Sequence, residues 1–283
     1  MSYKSILVLA LGRHDEQAIQ AGAWLAAEHG AAVRVLPVFP DIAADLAVAA
    51  APLGGMIPPG AYEAAAEITA DNQGRTEAAC RVAAAASDVA IGPGQGAPRL
   101  MLLAYDRRSY SALEREAVLA DLVVISGDAV ADRSDRTHAL LEDILMRLRR
   151  PLLIARGPAD SLRGTAILAW NGRQEAGRAV EAALPLLGGV SRTLAATHGD
   201  LADRPDLGSL GDYLDLHDMG RPESLTLSGD DAGAALLDAC RSHGAGLLVA
   251  GAYGHSRLRQ VVMGGVTRTL LGAADGPSLL LAY

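Results

Sequence analysis

The stretch Thr165-Ala-Ile-Leu-Ala-Trp-Asn-Gly172 repeats the plan of Ser5-Ile-Leu-Val-Leu-Ala-Leu-Gly12, and Ala245-Gly-Leu-Leu-Val-Ala-Gly-Ala252 repeats that of Ala120-Asp-Leu-Val-Val-Ile-Ser-Gly127. Each is a strand-length apolar run that ends at a small residue. Further runs follow the same order: Ala32–Val38, Leu100–Ala104 and Pro151–Ala155 in the first part, then Val190–Ala196, Ser224–Leu227 and Pro277–Ala282. Runs that are apolar throughout, rather than alternating, suit strands buried on both faces, which means a parallel sheet covered by helices. The chain is therefore read as α/β, in two copies of one unit.

The segments between these runs carry helical spacing. Ala176, Ala179, Val180, Ala183, Leu184 and Leu187 fall on one face of a helix, with Pro185 in its last turn. Leu140, Leu141, Ile144, Leu145 and Leu148 do the same in the first copy. The join is placed at Arg156-Gly-Pro-Ala-Asp160, giving units of residues 1–158 and 159–283. The first copy holds extra chain before Leu100, including Pro58-Pro-Gly60 and Gly92-Pro-Gly94, which predicts a loop insertion plus a longer second helix. Gly92-x-Gly94 lacks a flanking strand and helix, and reads as a turn rather than a dinucleotide fingerprint.

Composition narrows the classes of function. Half of the 283 residues are hydrophobic and a fifth are charged, enough apolar material for buried cores. A formal net charge of −8 without a long basic run disfavours nucleic acid and anionic lipid surfaces as partners. The Ala-rich stretch from Ile42 to Met56 is interrupted by Asp45, Pro52, Gly54 and Gly55, and does not read as a membrane span. Cys80 and Cys240 have no metal-ligand spacing around them, so unpaired core thiols are expected, in a reducing cytoplasm and without a metal site. The run Ile6–Leu11 is too short for a signal-peptide core, so no targeting segment is expected.

In an open parallel sheet, ligands sit at the carboxyl ends of the strands, near the point where strand order reverses. Residues just after strands one and four of each copy are the ones to search. After strand four of the second copy the chain reads Gly251-Ala-Tyr-Gly254-His-Ser-Arg-Leu-Arg-Gln-Val-Val-Met-Gly264-Gly265-Val-Thr-Arg-Thr-Leu270. Glycines let backbone N–H groups approach an anion, and a helix beginning at Gly265 adds its own unpaired N–H groups and dipole. His255, Arg257 and Thr267 are candidate side-chain donors, Arg257 with a fork suited to phosphate. The first copy has Ser126-Gly127-Asp128-Ala-Val-Ala-Asp132-Arg-Ser-Asp135 instead, which puts carboxylates where phosphates would sit. After its strand one comes Gly12-Arg13, with Asp15 expected to cap the next helix.

The pattern Gly251-x2-Gly254-x9-Gly264 followed by a small residue resembles the nucleotide-binding pattern of the universal stress protein family. So do Ala169-Trp-Asn-Gly172 through Ala183-Leu-Pro-Leu-Leu187, and Gly254-His-Ser-Arg-Leu-Arg259 with Gly264-Gly-Val-Thr-Arg268, which look like the tandem bacterial members. The resemblance covers the second unit and, more loosely, the first. It implies an open five-stranded parallel sheet with helices on both faces in each unit. It also implies a role in stress response, with ATP or a related adenine nucleotide, with or without Mg²⁺, bound across strands one and four of the second unit. The residues it assigns to that ligand are Ala169, Asn171, Gly251, Gly254, His255, Arg257, Gly264, Gly265, Val266 and Thr267. Two positions depart from the family: Gly265 where Ser or Thr is usual, and Asn171 where an acidic residue meets the adenosine. Pairing of the units through their last strands is implied as well, and a homo-oligomer is compatible.

Other readings stay open. The sequence lacks Gly-x4-Gly-Lys-Ser/Thr and a Ser-Gly-Gly-x-Asp-Ser loop, and His255 beside Ser256 has no orienting third group. A slow ATPase is thus the most that enzymology suggests, and no catalytic residue is assigned. A nucleotide-free interaction module is the other alternative. His198, after strand two, would sit near the base edge or be an ordinary loop histidine.

Overall fold

The computed structural model describes residues 2–94, 96–107, 109–131, 135–201, 203–252 and 264–283. The first half runs β1 (Ser5–Ala10), α1 (Glu16–His29), β2 (Ala32–Pro37), α2 (Ile42–Ala50), α3 (Ala61–Ala86), β3 (Ala90–Ile91), β4 (Arg99–Leu102), α4 (Ser109–Ala117), β5 (Leu122–Ser126), α5 (Gly127–Ala131), α6 (Asp135–Glu142) and β6 (Leu152–Ala155). The second runs β7 (Thr165–Ala169), α7 (Gln174–Leu187), β8 (Arg192–His198), α8 (Leu207–Leu216), β9 (Glu223–Leu227), α9 (Ala232–His243), β10 (Ala245–Gly251), α10 (Gly265–Gly272) and β11 (Ser278–Ala282). Each long apolar run of the sequence is a strand. The insertion in the first half is α2 and the 26-residue α3, and it is followed by an unforeseen two-residue strand, β3. The first half therefore has six strands where five were expected, because Ala90 and Ile91 add a short edge beside β4.

All strands join one sheet in the order β3-β4-β2-β1-β5-β6-β11-β10-β7-β8-β9. Every neighbouring pair is parallel except β6 with β11, whose register sets Ile154 opposite Leu279 and Leu152 opposite Leu281. Alternation along β1 feeds two cores: Ile6, Val8 and Ala10 pack with α1, α3, α7 and α8, whereas Leu7 and Leu9 pack with α4, α6, α9 and α10. Both cores run from one half into the other. The apolar stripe of α7 is buried as its spacing requires, and Pro185 is accommodated in the last turn.

Arg156 ties the seam. It follows β6, is only 5% exposed, and exchanges two 3.0 Å bonds with Ser278 on β11: its N–H donates to the hydroxyl, which donates to its carbonyl. Its guanidinium donates to the carbonyls of Leu270 (3.1 Å), Leu271 (3.2 Å) and Pro277 (3.3 Å). Two of these belong to the last turn of α10, whose carbonyls have no partner within the helix. Burial holds the guanidinium below its ordinary range, to about 10, and it stays a cation at neutral pH. Gly127 has room for no side chain because a Cβ there would lie 2.4 Å from Arg156 Cγ.

Two outcomes follow. Arg156→Met leaves those carbonyls without a donor and should lower unfolding free energy by about 2–4 kcal/mol in a denaturant melt, whereas a surface control such as Arg241→Met should stay within about 0.5 kcal/mol. Cys80 and Cys240 are buried and unpaired, and burial pushes both thiols up to about 12. Neither should react with a thiol reagent near neutral pH until the chain is unfolded, when both should.

Candidate functional site

Strand order reverses between β7 and β10 in the second half: β7 leads to β8 on one side, while β10 leads to β11 on the other. Their carboxyl ends lie side by side, Ala169 paired with Ala250. This puts the ends of strands one and four of the unit at one crevice, as the sequence pattern requires.

Around that crevice the structure places most of the expected residues. Ala169 ends β7, half-buried, and Asn171 follows it, exposed. The Asn171 side chain is already engaged, since its Oδ1 accepts from the Arg173 N–H at 3.0 Å, closing a local turn. Trp170 is buried and donates to the Pro205 carbonyl at 2.9 Å. Arg204 was not singled out from sequence, where nothing distinguishes it from other loop arginines. It braces this loop by donating to the carbonyls of Leu201 (2.8 Å), Asn171 (2.8 Å) and Asp200 (3.1 Å).

Gly251 ends β10, and its reason is packing: a Cβ would meet the Ala176 nitrogen and the Glu175 carbonyl carbon, both at 2.7 Å, in the first turn of α7. Gly264 stands at the N-cap of α10 with φ −57° and ψ 148°, and Gly265 opens the helix. Among the described residues neither has an atom within 4 Å of where its Cβ would be, which leaves this helix end open on their side. Gly265 and Val266 are exposed there, whereas Thr267 is 5% exposed and turned into the protein. The open end thus offers backbone N–H groups rather than a hydroxyl. Gly254, His255 and Arg257 lie outside the described residues. His198 ends β8, exposed, with Nε2 2.7 Å from the Gly229 carbonyl. No group of three or more acidic, His or Cys residues able to hold a metal occurs among the described residues.

The corresponding place in the first half is built differently. Order reverses between β1 and β5, and α5 closes the end of β5 directly. Asp132 lies outside the described residues, and Asp128 is exposed on α5. Asp15 stands at the N-cap of α1 but makes no capping bond; its carboxylate instead accepts from the Leu11 (2.7 Å) and Gly12 (2.8 Å) N–H groups, bracing the loop after β1. On α3, Asn72 crowds Gly12, and Arg75 donates to the Gly12 carbonyl at 3.1 Å. The insertion therefore clamps the strand-one loop.

Comparisons with known proteins agree with this architecture. No protein-family model and no curated protein matches the chain. Solved structures do. A universal stress protein from Archaeoglobus fulgidus DSM 4304 superimposes with a TM-score of 0.66 at 12% identity, over 100% of this chain and 96% of that one. A functionally unknown protein from Pseudomonas aeruginosa PAO1 gives 0.54 at 12% identity, over 99% and 92%. The chain has the universal stress protein fold along its whole length. Among the described residues no helix is long and apolar enough to cross a membrane.

The brace at Asp15 has a pH signature. Burial raises its carboxyl from 3.8 to about 6, against the lowering effect of its two N–H donors. A raised folded-state value means that the folded protein binds this proton more tightly than the unfolded chain. Its contribution to stability is complete below about pH 4 and is lost as pH rises to about 6. Relative to Asp15→Asn, the wild type should lose about 2–3 kcal/mol across that window, measured by denaturant melts at each pH.

Proposed function

We propose that this chain is a regulatory stress-response protein in which residues 159–283 bind ATP or a related adenine nucleotide and residues 1–158 form a copy that does not. The observation that carries this reading is the convergence of the ends of β7 and β10 with the open N-terminus of α10 at Gly264 and Gly265. Helix ends of that kind favour phosphate through N–H donors and dipole, despite the negative net charge of the chain. The solved universal stress protein with the same fold supports the stress-response assignment. The adenosine would lie toward Ala169 and Asn171. The loop containing Gly254, His255 and Arg257 would complete the phosphate side, with Mg²⁺ accompanying a triphosphate.

On this reading the protein is a receptor: nucleotide occupancy stabilises one conformation or assembly that other proteins detect, without a catalytic residue. The β6–β11 seam makes the chain its own dimer, and the site of action is the cytoplasm. A nucleotide-free interaction module is the second reading, favoured by the engagement of Asn171 Oδ1 and the burial of Thr267.

Calorimetry with ATP, ADP and AMP separates the two. Binding should be seen with the wild type and weakened by about tenfold or more in Gly265→Asp, which sets a carboxylate at the helix end. That variant should fold normally, since no described residue lies within 4 Å of the new Cβ and an acidic first-turn residue suits a helix. Absence of binding by all three nucleotides, with none retained by freshly purified protein in native mass spectrometry, would leave the nucleotide-free reading.

A further inference from the structure

A cavity of about 720 Å³ opens in the first half at the carboxyl ends of β1 and β2. It adjoins the ends of β1 and β5, the pair that corresponds to β7 and β10, with Ala129 of α5 in its lining. The volume lies in the usual range for small-molecule sites. Its walls are apolar: Leu11 after β1, Val38 and Phe39 after β2, Leu113 from α4, and Ile42 and Ile68 from α2 and α3. Phe39 and Leu113 are 1% and 0% exposed, and Phe39 is held by stacking on Tyr105 at 5.5 Å. Between β8 and β9 the second half has only the ten-residue α8, where the first half has α2 and the 26-residue α3, so the added chain is what walls this space.

The charges around it are unevenly satisfied. Asp41 caps α2 through the Ala44 N–H at 3.1 Å, and Asp45 takes Arg136 through both oxygens at 3.1 and 3.0 Å. Asp143 accepts from the Tyr110 hydroxyl. Arg13 and Arg107 also line the cavity, and neither makes a side-chain hydrogen bond or ion pair among the described residues. Every carboxylate of the lining thus has a hydrogen-bond donor, and the arginines left without a side-chain partner among the described residues are Arg13 and Arg107, with His14 next to Arg13. Large apolar side chains stand exposed on the same insertion, Val48 at 74%, Met56 at 81% and Tyr62 at 49%.

We propose that this cavity binds a small amphiphilic carboxylate: an apolar body fills the space between the sheet and α2–α3, and Arg13 and Arg107 hold the anionic head. A nucleotide fits it poorly, because the first turn of α5 at the end of β5 carries Asp128, a carboxylate where phosphates would sit. Desolvating a carboxylate requires charged or hydrogen-bonding partners, and an arginine at the cavity edge supplies both. The apolar body gains from leaving water in proportion to the area that it buries. An acyl chain and a fused aromatic ring present the same chemistry, so each is a separate arm of the test.

Titration calorimetry on the full chain with dodecanoate, below its micelle concentration, and with naphthoate should show binding of at least one of them. The arm that binds identifies the body. The double variant Arg13→Gln/Arg107→Gln changes exposed side chains only and should weaken that carboxylate by about tenfold or more, while binding of uncharged dodecanol is unchanged. Ala139→Trp, which fills the space from an exposed position of the lining, should abolish both. ATP titrated into the same variants reads the other half of the chain, so failure here and failure of the nucleotide reading are separate results. Absence of binding by both carboxylates, or affinity unaffected by Ala139→Trp, would overturn the proposal.

Discussion

The antiparallel contact between β6 and β11 is the constraint from which the rest of the architecture follows. A parallel sheet grown from either half would end in an exposed apolar strand, Leu152–Ala155 or Ser278–Ala282, with a row of unpaired backbone groups. Such an edge is a template for aggregation, and pairing the two edges with each other removes both. Arg156 turns that pairing into a joint by adding a side chain that reaches the last carbonyls of α10. A long buried cation is tolerated because both terminal nitrogens of its guanidinium donate to backbone carbonyls, with only Nε left without an acceptor among the described residues.

The joint also sets the two strand-end regions in relation to each other. Arg156 grips the carboxyl end of α10, whose opposite end is the open one at Gly264 and Gly265. On the first half's side, Gly127 accommodates the stem of Arg156, and α5, which begins there, packs against α10. Ala129 of the same α5 lines the cavity of the first half. The two copies have diverged at equivalent places in the sheet. One ends β10 beside an open helix end; the other closes β5 with a helix and roofs its strand ends with an insertion.

Much of this was legible in the residues. Uninterrupted apolar runs locate the long strands within a residue or two, and the helical stripe of α7 is buried where its spacing puts it. β3 was not legible, because two exposed residues beside β4 carry no periodicity. At the candidate site, spacing brought Ala169, Asn171, Gly251, Gly264 and Gly265 to one end of the sheet. It did not reveal that Gly251 is needed for its approach to α7, nor that Thr267 turns inward. Asp15 was expected to cap α1 and instead reaches back to Leu11 and Gly12, a choice set by how the loop folds over it.

The sequence by itself determined the class of fold, the repetition of one α/β unit and the strand ends at which ligands should gather, because hydrophobic periodicity and glycine placement are local properties. Only the tertiary structure decided the antiparallel register in which β6 meets β11, that Arg156 is a buried clamp, and that the insertion walls a cavity with Arg13 and Arg107 at its edge. Those features depend on residues far apart in the chain meeting in space. Arg156 with Leu270, Asp45 with Arg136 and Gly12 with Arg75 are such meetings, and no local pattern in the chain encodes them.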